Sequence, residues 1–199
     1  MHSTSHKKSE RAGEIRIIAG EYRGRRIKVA SLPGLRPTPD RVRETLFNWL
    51  GQWLDGLSCL DLFAGSGALG FEAASRGAAR VVMVESDRTA FSSLDTTCER
   101  IGARAVELVQ GDALRYLAQS SERFDVVFLD PPFRQNALPA VFARLEPRLA
   151  EKARVYIESH APCVPGERWT ELKRSRAGQV SYQLFEWRGD DQGGLSRNV

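Results

Sequence analysis

No stretch of this chain approaches the roughly 20 consecutive apolar residues that a membrane helix needs, and the first residues, Met1-His2-Ser3-Thr4-Ser5-His6-Lys7-Lys8, lack the apolar core of a secretory signal. A cytoplasmic protein with no membrane association is the expectation. Cysteine is scarce: Cys59, Cys98 and Cys163 stand far apart, with no CxxC or Cys/His spacing for a metal. Cys59 and Cys98 fall in apolar-patterned segments and read as buried thiols, so neither a disulfide framework nor a structural metal is expected. Internal repeats and low-complexity tracts are also missing. What remains is 199 residues, 42% hydrophobic, enough for one domain with a small appendage and a self-sufficient core.

Charge is unevenly spread. Residues 1–50 hold eleven Lys or Arg against five acids, a net +6, which leaves −2 for the rest of a chain whose total is +4. A basic arm on a slightly acidic body suits a polyanionic partner. The plainer alternative is a solvated, solubilising face.

Residues 1–13 are polar and charged and read as a disordered basic tail. Ile15–Gly20 and Arg26–Ala30 are short β-prone runs joined through glycine, a hairpin rich in arginine. With the Pro-rich loop that follows, it forms an extension over residues 14–35. A helix is expected next, capped by Thr38 with Pro39 in its first turn. Val42, Leu46, Trp49, Leu50 and Trp53 form its apolar stripe, and Arg41, Arg43 and Glu44 lie on other faces. From residue 57 strands and helices alternate: strands at 57–63, 80–85, 105–110, 124–130 and 154–159, helices at 68–76, 89–101, 114–119 and 138–150. Repeated βα units with apolar strands predict an α/β fold, a parallel sheet covered on both faces. Trp169–Ser175 and Val180–Trp187 read as an antiparallel hairpin that closes the domain, and residues 189–199 as a polar tail.

Ligands of such sheets bind beyond the carboxyl ends of the strands. Four successive strands deliver acids there: Asp61, Glu85, Asp112 and Asp130. Any one of them could be an ordinary turn or capping residue; four in register are harder to assign that way. Gly65-Ser66-Gly67-Ala68-Leu69-Gly70 fits GxGxxG between a strand and a helix, a pattern open to both a dinucleotide enzyme and a methyltransferase. The acids separate the two. A pyrophosphate would be repelled by them, whereas S-adenosylmethionine offers an ammonium, a sulfonium, ribose hydroxyls and an adenine amine. Asp130-Pro131-Pro132-Phe133 is the most specific signal. The proline pair ends the strand and fixes its φ angles, and Pro131 holds Asp130 extended. A rigid set of acceptors then stands beside an aromatic ring, as gripping the N–H bonds of a base amine and stacking the base both require. A NAD-dependent oxidoreductase leaves Asp130–Phe133 unexplained, and a non-catalytic RNA-binding protein leaves the four acids unexplained.

Asp61–Gly70, Glu85, Gly111-Asp112-Ala113 and Asp130–Phe133 resemble the ordered motifs of class I methyltransferases with a (D/N)PP(Y/F) signature. Arg16–Arg25 and Arg36–Asn48 resemble the bacterial 16S ribosomal RNA guanine-N2 methyltransferase family, over roughly residues 14–188. The resemblance implies a Rossmann-like, mostly parallel seven-stranded sheet with an N-terminal β-hairpin, the catalytic domain spanning 36–188. It implies S-adenosyl-L-methionine as cofactor, S-adenosyl-L-homocysteine as product and no metal. Cofactor contacts are expected at Asp61, Gly65, Gly67, Glu85, Asp112 and Ala113, and the catalytic base site at Asp130, Pro131, Pro132 and Phe133, the last a Tyr in many relatives. The expected substrate is small-subunit ribosomal RNA, bare or in a particle or assembly intermediate, held by Arg16, Arg23, Arg25, Arg26, Arg36, Arg41 and Arg43 of a monomer. The alternative is an amino methyltransferase acting on a different RNA or on adenine N6 of DNA.

Overall fold

In the computed structural model, residues 13–30, 38–132 and 137–189 are described. The expected tails and the positions of Arg36 and Phe133 lie outside them. The main sheet is seven-stranded, β3 (Ser58–Asp61), β4 (Arg80–Glu85), β5 (Val106–Gln110), β6 (Phe124–Leu129), β7 (Leu149–Ser159), β8 (Trp169–Ala177) and β9 (Val180–Trp187). They run in the order β5-β4-β3-β6-β7-β9-β8. Pairing is parallel from β5 to β7 and antiparallel where β9 joins β7 and β8.

Alternation along the strands divides the core in two. Cys59, Val81, Met83, Val126, Phe128 and Tyr156 face α1 (Asp40–Leu50), α2 (Ala68–Ser75) and α3 (Arg88–Ile101). Leu60, Val82, Val84, Val127, Leu129, Val155 and Ile157 face α4 (Ala113–Gln119) and α5 (Leu138–Leu145). Strand interiors buried on both sides explain why these segments read as unbroken apolar runs. The order reverses between β3 and β6, which places a crevice at their carboxyl ends.

Three expected elements differ in the structure. The helix expected over 138–150 stops at Leu145. Pro147 brings no N–H to its ladder, a 3-10 turn covers Glu146–Arg148, and β7 starts at Leu149. The α1 stripe ends before Trp53, because Gly51 at φ 104° turns the chain and leaves Trp53 63% exposed. Trp49 is half-buried and stacks on Tyr182 at 5.4 Å.

Arg43, expected among the RNA-binding residues, is fully buried. It donates to Glu72 at 3.2 Å, Asp40 at 2.7 Å and the carbonyl of Arg16 at 2.8 Å. The cause is Glu72 of α2, itself fully buried, a carboxylate that an apolar core tolerates only with partners. Glu72 also accepts from Arg76 Nε at 2.8 Å and from the N–H groups of Ile18 and Ala19 at 2.8 and 3.0 Å. One carboxylate thereby fastens α1, α2 and the N-terminal hairpin together. That hairpin, β1 (Glu14–Arg16) against β2 (Arg26–Lys28), turns Ile15 and Ile27 into the core and leaves the flanking residues outside.

Candidate active site

The glycine loop leaves β3 over Asp61. Gly65 and Gly67 take left-handed φ values of 52° and 78°, which side-chain-bearing residues rarely adopt. Gly67 caps α2 through its backbone, and a Cβ there would sit 2.5 Å from the Phe71 ring. The loop is held from two sides. Asp61 Oδ2 accepts the Gly70 N–H at 3.0 Å, and Glu85 Oε2 accepts the Gly65 N–H at 2.7 Å. Asp61 is only 2% exposed, and burial pushes its carboxyl up to about 7 despite that bond. It lies beneath the loop, so its link to a ligand runs through the loop's shape.

Glu85 ends β4, half-buried, with its other oxygen accepting the Asp87 N–H at 2.7 Å. Asp112 follows β5 as the N-cap of α4. Its Oδ1 accepts the Arg115 N–H at 3.0 Å, and the side chain is otherwise exposed beside Ala113. A Cβ at neighbouring Gly111 would meet nothing within 4 Å, so the crevice is open there. Carboxylates on an open rim suit hydroxyl, amine and ammonium donors, and the left-handed glycines bring backbone N–H groups to the start of α2. The residues present therefore fit S-adenosylmethionine.

Asp130 follows β6 directly and is partly exposed; no described residue donates a hydrogen bond to its carboxylate. Burial raises its pKa well above the usual carboxylate range, with Glu158 and then Asp61 adding to the effect. Pro131 is buried behind it and Pro132 is exposed. A cavity of about 710 Å³ opens beside this strand end, lined by Pro131, Leu138, Phe142, Glu158 and His160 among others. That volume lies in the range of small-molecule sites.

Glu158 is the site residue that the sequence reading passed over. It belongs to β7, where Leu129 pairs with Ile157, so one step further Asp130 and Glu158 stand side by side. Glu158 is 6% exposed and accepts from the Tyr156 hydroxyl at 2.8 Å. Burial raises its pKa, while hydrogen bonds from Tyr156 and Thr38 act against that rise. The strand-end rule that picked out four acids applies here as well. The signal was weaker because Ser159-His160, rather than glycine or proline, follows.

Of the arginines expected to hold RNA, Arg16, Arg23, Arg25, Arg26 and Arg41 are exposed. Arg25 reaches the Ile101 carbonyl at 3.1 Å and lies over Tyr22, and Arg26 pairs with Glu14 at 2.8 Å. Among the described residues no group of three or more His, Cys, Asp or Glu side chains is placed to hold a metal, and no helix is long and apolar enough to cross a membrane.

Known proteins match this arrangement along nearly its whole length. A family model described as conserved hypothetical protein 95 matches residues 15–186. Ribosomal RNA small subunit methyltransferase D of Escherichia coli K12 is 44% identical over 181 residues, covering 88% of this chain and 91% of that protein. The protein of the same name from Haemophilus influenzae is 43% identical over 182 residues, covering 87% and 94%. The solved structure of yhhF from Escherichia coli superposes with a TM-score of 0.82 at 43% identity, covering 89% of this chain and 99% of that one. With this similarity in sequence and fold, the chain belongs to that family, the one that includes the ribosomal RNA small subunit methyltransferase D proteins.

Proposed function

We propose that this protein transfers a methyl group from S-adenosylmethionine to the exocyclic N2 amine of a guanine in small-subunit (16S) ribosomal RNA. The observation that carries the reading is the Asp130 carboxylate. It stands at the end of β6 with no described donor of its own, followed by a proline that fixes its direction, beside a cavity large enough for a base.

S-adenosylmethionine, when bound, supplies an electrophilic methyl on a sulfonium. The glycine loop, Glu85 and Asp112 would hold it: backbone N–H groups of the loop other than those of Gly65 and Gly67, which Glu85 and Ala64 accept, for its carboxylate, Glu85 for the ribose hydroxyls, Asp112 for the adenine amine. A guanine amine is a poor nucleophile, because its lone pair is delocalised into the ring. Accepting its N–H bonds at Asp130 and the Pro131 carbonyl raises electron density on nitrogen and fixes its direction. As the N–C bond forms and the C–S bond breaks, nitrogen carries an extra proton. Asp130, whose pKa is raised by burial, is suited to take it. No covalent enzyme intermediate is required; burial pushes the Cys59 thiol up to about 12, far from a reactive thiolate. Most of the acceleration comes from positioning, on a base that is unpaired or flipped out of its stack. The exposed arginines Arg16, Arg23, Arg25, Arg26 and Arg41 would hold the surrounding phosphates.

Incubation with labelled S-adenosylmethionine and either bare 16S RNA or small-subunit particles, followed by nucleoside analysis, tests the reading. N2-methylguanosine is expected. N6-methyladenosine, or label only in other RNAs or DNA, would replace this substrate with another amine.

A further inference from the structure

Asp130 needs only one N–H of the base, yet a second carboxylate stands beside it. We propose that Glu158 is the residue that tells guanine from other amine-bearing bases, its carboxylate accepting the ring N1–H while Asp130 accepts the neighbouring amine. This rests on the guanine-N2 reading above and adds the group that enforces it.

Glu158 is held by two donors. Tyr156 donates its hydroxyl to Oε1 at 2.8 Å, and Thr38, just ahead of α1, donates as well. Burial raises the Glu158 pKa, and both donors act against that rise and hold the group in place as an acceptor. A carboxylate offers about four lone-pair sites, so two remain. Glu158 is 6% exposed and lines the cavity together with Pro131. A buried acceptor left without a donor costs free energy, and here the open side is the one from which a base enters.

The chemistry of bases then selects among them. In guanine the ring nitrogen next to the amine, N1, carries a hydrogen, so two donors lie side by side. In adenine and cytosine the ring nitrogen next to the amine is an acceptor. Two adjacent carboxylates therefore match guanine at both points. With adenine or cytosine they set lone pair against lone pair, and a site built to receive a donor rejects a base that lacks it.

The test uses 16S RNA made with either guanosine or 2-aminopurine riboside at the nucleotide that the wild-type protein methylates. 2-Aminopurine keeps the amine and has a lone pair at N1. The wild-type protein is expected to favour guanosine in kcat/KM by on the order of tenfold to a hundredfold, the effect of one hydrogen bond to a charged acceptor. In Glu158→Gln the amide oxygen can keep the Tyr156 hydrogen bond, and the NH2 then faces the base. The preference should fall by about tenfold or reverse. Tyr156→Phe, which loosens the carboxylate without removing it, should lower the preference partway, and it serves as the readout if Glu158→Gln folds poorly. Cofactor affinity measured by calorimetry should hold in both variants. Equal losses on both substrates with the ratio intact would overturn the assignment to Glu158. A wild-type product other than N2-methylguanosine would overturn the parent reading instead, so the two failures are distinct.

Discussion

Asp61 carries an acid into the core beneath the glycine loop, and its titration has a predicted sign. Its folded pKa is raised from 3.8 to about 7 by burial. The folded protein thus holds the proton more tightly than the unfolded chain. The associated stability is fully present below about pH 4, falls as pH rises toward 7, and is flat above that. Burial shifts the Asp130 and Glu158 carboxyls in the same direction. Denaturant unfolding of Asp61→Asn between pH 4 and 8 should therefore show a shallower loss than wild type, by on the order of a few kcal/mol across the window. Parallel profiles would mean that Asp61 keeps an ordinary pKa. The same burial explains why Arg43 was misplaced from sequence alone. Arg43 shares the buried helical face of Leu46, Phe47 and Leu50, yet a charge there reads as surface until the folded α2 brings Glu72 against it.

At the scale of elements, the alternating strands and helices were legible because each carries its own period and its own stop. β4 over Arg80–Glu85 and β9 over Val180–Trp187 match expectation residue for residue; each is preceded by a glycine turn, and after β4 Asp87 caps the next helix. The start of β7 was not legible, since Leu149-Ala150 continue a helical apolar pattern that only Pro147 interrupts. The hairpin was legible as two strands but not in its attachment. It is seated through its backbone N–H groups: the Glu21 N–H donates to the Ser75 carbonyl at 2.7 Å, and the Tyr22 N–H to Ser75 Oγ at 2.9 Å. Gly20, at φ 82°, passes so close that a Cβ would sit 1.7 Å from the Ser75 carbonyl oxygen. Gly20→Ala should lift the hairpin from α2. Left-handed strain alone costs about 1–3 kcal/mol, and the clash adds to it. A lower urea midpoint is expected, with faster amide exchange at Ile18 and Ala19, whose N–H groups then lose Glu72. An unchanged midpoint and unchanged exchange would show that the hairpin does not depend on this contact.

Across the whole molecule, basic and acidic surfaces are separated by task. The hairpin and the start of α1 expose Arg16, Arg23, Arg26 and Arg41, while the crevice collects carboxylates. Phosphate contacts release counterions, so each arginine engaged should steepen the salt dependence of RNA binding by somewhat under one unit. Replacing Arg23, Arg26 and Arg41 together by Ala should flatten that slope by up to about two units and leave the melting temperature close to wild type, because none of the three is buried. A slope unchanged in a stably folded triple variant would show that the arm's charges are merely solvated. Beneath that arm, the proposed function divides labour: the glycine loop, Glu85 and Asp112 would hold the cofactor, and Asp130 would serve the chemistry. Asp130→Ala separates the two in one preparation, with S-adenosylmethionine affinity measured by calorimetry and methyl transfer to 16S RNA under single-turnover conditions. The account predicts unchanged affinity and a transfer rate lower by about a hundredfold to a thousandfold, the loss typical of deleting one preorganised hydrogen bond at a reacting centre; a near-normal rate would contradict it.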